Sequence, residues 1–319
     1  MTEPVRDKIL AFSGGVGGAK LALGLSRMLP PERLTIVANT GDDFEHLGLH
    51  IAPDLDTVMY TLAGLNNTEL GWGLAGESWE FLDALQKLGG DSWFKLGDRD
   101  LATHVVRSQG LARGLTLTAV TTGLCQRLGV RPRLLPMSDD PVRTMVKTKQ
   151  GELLFQHYFV REQCRPAVEG FRFAGLEKAR PQSDMLELLQ SQQLAAIVLC
   201  PSNPFVSVDP IMALPGLREA ISRSGAPVIA ISPIVSGLAI KGPAAKMMAE
   251  LGMPVTAAAV AQHYCGLVNY FVLDEADAIL AADIEDLGMK VVVAPTIMKT
   301  LTDREALAER VLALVGGSS

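Results

Sequence analysis

The stretch Ser13-Gly14-Gly15-Val16-Gly17-Gly18-Ala19-Lys20 decides how the chain folds. It follows Lys8-Ile9-Leu10-Ala11-Phe12, an apolar run of strand length, and precedes Leu21 to Met28, whose apolar residues recur at helical spacing. Strand, glycine loop and helix in that order make a βα corner. Glycines let the backbone turn sharply and approach a ligand, and the start of the helix points unpaired N–H groups at the loop. A phosphate or pyrophosphate suits such a corner. The spacing is neither G-x-G-x-x-G in its usual register nor G-x-x-x-x-G-K-[ST], so neither the dinucleotide fingerprint nor a Walker loop applies. Gly14, Gly15, Gly17 and Gly18 are candidate nucleotide contacts, with a tight structural turn as the alternative.

Downstream, Leu34-Thr35-Ile36-Val37-Ala38-Asn39 reads as a second buried strand that ends in Thr40-Gly41-Asp42-Asp43. Ligands of α/β sheets collect outside the carboxyl ends of the strands, which makes those acids site candidates. Pro53-Asp54-Leu55-Asp56-Thr57 then opens a helix that Asp54 or Asp56 can cap. Three acids in quick succession exceed what capping needs. Hard carboxylate oxygens in this number suit Mg²⁺, which takes one or two carboxylates plus phosphate oxygens and water; solvated turns are the alternative.

The segment from Gly64 to Gly90 is loop-rich, then helical from about Ser78 to Leu88. Trp72, Trp79 and Trp93, all the tryptophans of the chain, fall near it and read either as core or as a wall for a flat ring. Lys95-Leu96-Gly97-Asp98-Arg99-Asp100 precedes an amphipathic run from Leu101 to Ser108. Asp98 or Asp100 can cap that run, and Lys95 or Arg99 can hold a phosphate or substrate oxygen.

The 319 residues are 48% hydrophobic and 20% charged, with a net charge of -6. That balance supplies a large core and no basic stripe for nucleic acid. Met1 to Asp7 lacks the layout of a signal peptide, and no apolar run reaches membrane length. The expectation is a cytoplasmic protein. Cys125, Cys164, Cys200 and Cys265 stand far apart, which favours buried thiols over zinc or disulfides.

Further strands read at Leu194 to Cys200, Pro227 to Ile231, Asn269 to Leu273 and Met289 to Ala294. The first is followed by Pro201-Ser202-Asn203-Pro204 and the second by Ser232-Pro233-Ile234, two polar loops fit to rim a nucleotide site. Strands alternating with helices predict a doubly wound, mostly parallel, Rossmann-like α/β sheet. Residues 1–130 and 182–319 form its two parts, around a smaller α+β lobe at 131–181. That lobe takes a strand at Arg133 to Met137 and a hairpin from Thr144 to Phe155. His157 reads as a packed histidine, and the tail Val315 to Ser319 as frayed.

Taken in order, the glycine stretch, Asn39-Thr40-Gly41-Asp42-Asp43, Pro53-Asp54-Leu55-Asp56-Thr57, Trp93-Phe94-Lys95-Leu96-Gly97-Asp98-Arg99-Asp100, Leu135-Pro136-Met137-Ser138-Asp139, Pro201-Ser202-Asn203-Pro204 and Ser232-Pro233-Ile234 resemble the 2-phospho-L-lactate transferases of coenzyme F-420 biosynthesis. The resemblance runs from the first strand to about Asp274. It implies a Mg²⁺-dependent transfer in which the ribitol hydroxyl of the deazaflavin Fo attacks the phosphate bearing a small acid in a guanosine diphosphate-linked donor, and GMP leaves. It further implies Asp42 and Asp54 as metal ligands and Asp56, Lys95 and Arg99 as Fo contacts. Asp56, two residues after a metal candidate, is a candidate to orient or deprotonate the hydroxyl. The glycine loop, Ser202, Asn203 and Ser232 then face the guanosine diphosphate portion. Where some members carry Gly-Thr-Gly-Thr-Pro-Lys, this chain has Gly15-Val16-Gly17-Gly18-Ala19-Lys20, so the donor acid stays open among phospholactate, phosphoenolpyruvate and 3-phosphoglycerate. A homodimer is expected because symmetric pairs are the commonest soluble assemblies. The rival classes are a non-catalytic nucleotide-binding regulator of similar fold and an NAD-dependent oxidoreductase. The second is weakened by Asn39-Thr40-Gly41 at the strand end where a ribose-binding acid usually stands.

Overall fold

The computed structural model describes residues 6–316. The opening Met1 to Val5 and the end of the tail, Gly317 to Ser319, lie outside the described residues. Seven strands form the central sheet: β1 (Lys8–Ser13), β2 (Leu34–Ala38), β3 (Arg133–Pro136), β4 (Leu194–Leu199), β5 (Val228–Ile231), β6 (Tyr270–Leu273) and β7 (Lys290–Val293). Their order is β7-β6-β5-β4-β1-β2-β3, and every pair is parallel. The chain winds outward from β1 through β2 to β3, then returns beside β1 and winds the other way. The switch point therefore lies between β1 and β4.

Both faces of the sheet are covered, which explains the unbroken apolar strands. Leu10 and Phe12 of β1 join one core with Val37, Ile197 and Leu199; Ile9 and Ala11 join the other with Ile36, Ala38 and Val198. Helices α1 (Gly15–Met28) and α2 (Pro53–Leu62), with the helix Leu301–Gly316, cover the second face. Helices Ser183–Gln190, Leu217–Ser224 and Ala257–His263 cover the first. Val315 and Gly316 thus continue a helix instead of fraying.

The lobe is a three-stranded antiparallel sheet in which Arg143–Thr148 pairs with Gly151–Leu154 on one side and Gly170–Ala174 on the other. It is smaller than the sequence reading: Arg133–Pro136 is not a lobe strand but the edge of the central sheet, aligned with β2 from Thr35↔Arg133 to Ala38↔Pro136. Leu134 packs into one core and Leu135 into the other, as a strand buried on both faces must. Two of the four cysteines, Cys125 and Cys200, are buried; Cys164 is partly buried and Cys265 is exposed, against the expectation of four buried thiols. No helix among the described residues is long and apolar enough to cross a membrane.

Candidate active site

At the switch point the loops that follow β1 and β4 meet. The Ser202 hydroxyl accepts from the Gly14 N–H (3.1 Å) and donates to the Gly14 carbonyl (2.9 Å), so one side chain fixes both loops. Close packing sets the glycine pattern. A Cβ on Gly17 would stand 2.3 Å from the Pro201 carbonyl oxygen, and one on Gly18 2.5 Å from Ser13 Oγ. Gly15 alone among these four needs a left-handed conformation, at φ +61°. The corner opens into a cavity of about 590 Å³ that runs from the glycine loop to the lobe.

Asp42 and Asp54 line the glycine end. Asp54, in the first turn of α2, accepts from the Gly15 N–H (2.7 Å) and from the Asn39 side-chain amide (2.9 Å). Asn39 also donates to the Val206 carbonyl (3.1 Å) and accepts from the Gly41 N–H (2.8 Å), tying the end of β2 to the segment after β4. Burial, opposed by the Asn39 and Gly15 hydrogen bonds, holds the Asp54 carboxyl up at about 6. Burial, with Asp54 beside it, pushes Asp42 well above the usual carboxylate range. Asp42 Oδ1 has no hydrogen-bond partner. Two buried carboxylates held above the usual range by burial, one with an orphaned oxygen, fit a hard divalent cation bound together with phosphate.

The far end of the cavity is aromatic. Trp93 and Phe94 line it from the core, and Phe155 and Phe159 from the lobe. The two lobe rings stack with centroids 5.5 Å apart and planes 7° apart. They sit on the wide helical turn of Phe155 to Arg161, which carries positions four apart on one face. Lys95 projects beside them. At the mouth, Lys241 donates to the Leu70 carbonyl (3.2 Å) and joins two flanking loops.

A model of the CofD family, described as 2-phospho-L-lactate transferase CofD, matches residues 9–299. The chain belongs to the CofD family. This CofD chain is 42% identical over 313 residues to a phosphoenolpyruvate transferase of Streptomyces griseus, covering 96% of this chain and 98% of the relative. It is 36% identical over 304 residues to a 2-phospho-L-lactate transferase of Methanosarcina mazei, covering 95% and 99%. Its fold also matches a UPF0052-family protein of Bacillus halodurans, with a TM-score of 0.62 at 14% identity over 98% of this chain and 99% of that one. It is a transferase of the CofD type.

Most of the residues expected at the site of this CofD chain do come together. Gly14, Gly15, Gly17, Asp42, Asp54, Lys95, Ser202, Asn203 and Ser232 all line the cavity. Three do not. Gly18 is packed behind the loop against Ser13 and Ser202. Arg99 is exposed on the outer face, its guanidinium donating to the Ala75 carbonyl (2.8 Å). Asp56, two residues along α2 from Asp54, is not among the lining residues and is held by both terminal nitrogens of the buried Arg107. Burial raises its carboxyl above the usual range and Arg107 offsets that in part, so the pair ties α2 to the helix that carries Arg107.

Nor do these acids cap their own helices. Asp98 accepts from the N–H groups of Glu80 and Phe81, capping the helix Glu80–Lys87, while Glu77 accepts from Arg99 and Asp100 at the start of the helix Asp98–Ala112. Of the tryptophans, Trp72 and Trp93 line the cavity and Trp79 packs on Trp72. His157 packs edge-on to Trp93, 4.8 Å between centroids, in line with its reading as a packed histidine. Lys20, Thr57, Gln156, Ser207 and Lys241 also line the cavity, and sequence reasoning had singled out none of them. Only Lys20 carried a signal, as the cation closing the glycine stretch.

Proposed function

We propose that the chain transfers a phospho-acid group from a guanosine diphosphate-linked donor to the ribitol hydroxyl of the deazaflavin Fo, with Mg²⁺ and with release of GMP. The observation that carries this is the single cavity joining a glycine and acid end to an aromatic end. The first suits a diphosphate and the second a flat ring. Among the three donor acids, the 42% identity to a phosphoenolpyruvate transferase, against 36% to a 2-phospho-L-lactate transferase, favours the enolpyruvyl donor.

In the step, the Fo hydroxyl oxygen bonds to the phosphorus that bears the acid. The bond from that phosphorus to the bridging oxygen breaks, and GMP departs with the oxygen. Asp42 and Asp54 would hold a Mg²⁺, which when bound would supply charge neutralisation on the diphosphate. The Gly15 N–H and Asn39 fix Asp54 so that its carboxylate cannot swing away. The aromatic walls hold the acceptor ring and exclude water from its face, which turns the encounter into a positioned one. The hydroxyl proton is taken at the acidic end, where Asp42 and Asp54 are the only carboxylates among the described lining residues.

The test is GMP release from the purified chain supplied with Fo, Mg²⁺ and each of the three guanylyl donors in turn, with a chelated control. Turnover with the enolpyruvyl donor and loss on chelation is the expected result. Binding of nucleotide without metal, and no GMP from any donor, would identify a nucleotide-binding regulator instead.

A further inference from the structure

We propose that Gln156 is the specificity-determining residue for the acceptor ring, reading a cis-amide edge, an N–H adjacent to a C=O, on the flat heterocycle. This rests on the reading of the aromatic end as the deazaflavin site. Gln156 is only 6% exposed, yet it lines the cavity. Its amide has no hydrogen-bond partner among the described residues. Gln156 follows Phe155 at the start of the wide turn that carries Phe159, and all three residues line the same cavity.

The Gln156 amide opens onto the cavity with both its donor and its acceptor free for a ligand, whose hydrogen bonds there replace those of water. Its N–H₂ and C=O lie side by side, a donor next to an acceptor. The complement is an acceptor next to a donor, which is the arrangement on the imide edge of a pyrimidinedione ring such as that of a deazaflavin. Stacking on Phe155, Phe159 and Trp93 accepts any flat ring, because every aromatic face is alike in this respect. Lys95 and Gln163 also line the cavity but are exposed and unconfined, whereas Gln156 is a buried amide that offers a donor next to an acceptor, so discrimination between ring edges is assigned to it. A site built around a hydrogen bond rejects an analogue that cannot make it far more strongly than an apolar pocket rejects a change of shape.

The experiment measures binding of Fo by its intrinsic fluorescence, and of GDP with Mg²⁺ by calorimetry, to the wild-type chain and to Gln156→Met and Gln156→Glu. An Fo analogue methylated on the imide nitrogen is included. The expected result is a loss of Fo affinity of about 10- to 100-fold in Gln156→Met with GDP binding unchanged. The methylated analogue should bind weakly to the wild type and no more weakly to Gln156→Met, because the bond it cannot make is already gone. Gln156→Glu, which keeps the shape and one acceptor, should bind Fo with intermediate affinity. Unaltered Fo binding by Gln156→Met, or equal loss of Fo and GDP, overturns the assignment of Gln156 alone. Absence of Fo binding by the wild-type chain overturns the reading of the aromatic end, and this inference with it.

Discussion

Asp42 is buried with one carboxylate oxygen unpartnered, and burial and the neighbouring Asp54 both oppose its charge. A folded-state pKa above the unfolded one means that the native protein holds its proton more tightly. For Asp54, the stability contributed is full below 3.8 and is lost as pH rises through about 6. The metal-free protein should therefore lose stability across that window, and Mg²⁺ should restore it. Asp42→Asn removes one buried charge, so scanning fluorimetry should show a metal-free Tm above wild type at pH 7.5, a gap that closes toward pH 4. The same variant should lose its response to Mg²⁺ and at least 100-fold in turnover. Arg107 poses the opposite case. Arg107→Ala leaves Asp56 buried and unpaired and should cost about 3–5 kcal/mol in urea unfolding, while Asp56→Leu combined with Arg107→Met should recover most of it. That recovery would show the pair to be structural.

At the scale of elements, α1 approaches the loop after β4 so closely that Gly17 admits no side chain. Gly17→Ala should cost about 1–3 kcal/mol by overpacking and raise the KM for the donor more than the KM for Fo, since the displaced loop lies at the glycine end. Chemical denaturation and steady-state kinetics check the two halves. The helices Glu80–Lys87 and Asp98–Ala112 illustrate what a linear reading misses. The sequence shows acids where caps belong, but which helix Asp98 caps depends on how two helices whose first residues are 18 apart are brought together. Asp56 failed as a site residue for a related reason: its partner, Arg107, lies 51 residues away, and nothing local marks the pairing.

For the whole molecule, the parallel sheet was legible because strands buried on both faces must be continuously apolar, and the acid and glycine end of the site was legible because it sits at strand ends. The lobe boundary was not, since Arg133–Pro136 is too short to reveal which sheet completes it. Ligand binding should register globally. GDP at about 100 times its Kd should add about 2.7 kcal/mol in the presence of Mg²⁺, several degrees in Tm, and little after chelation. The sheet order also has a consequence in time. β1 finds β2 almost at once, but its other neighbour, β4, ends at Leu199. On a ribosome adding about 5–20 residues per second, the apolar edge of Ile9 to Phe12 waits roughly 10 to 40 s for its mate. Through that interval the newborn chain offers an open strand to any neighbour, and the glycine loop has no Ser202 to hold it. Chaperone demand should therefore peak when the first two strands have emerged and the fourth has not.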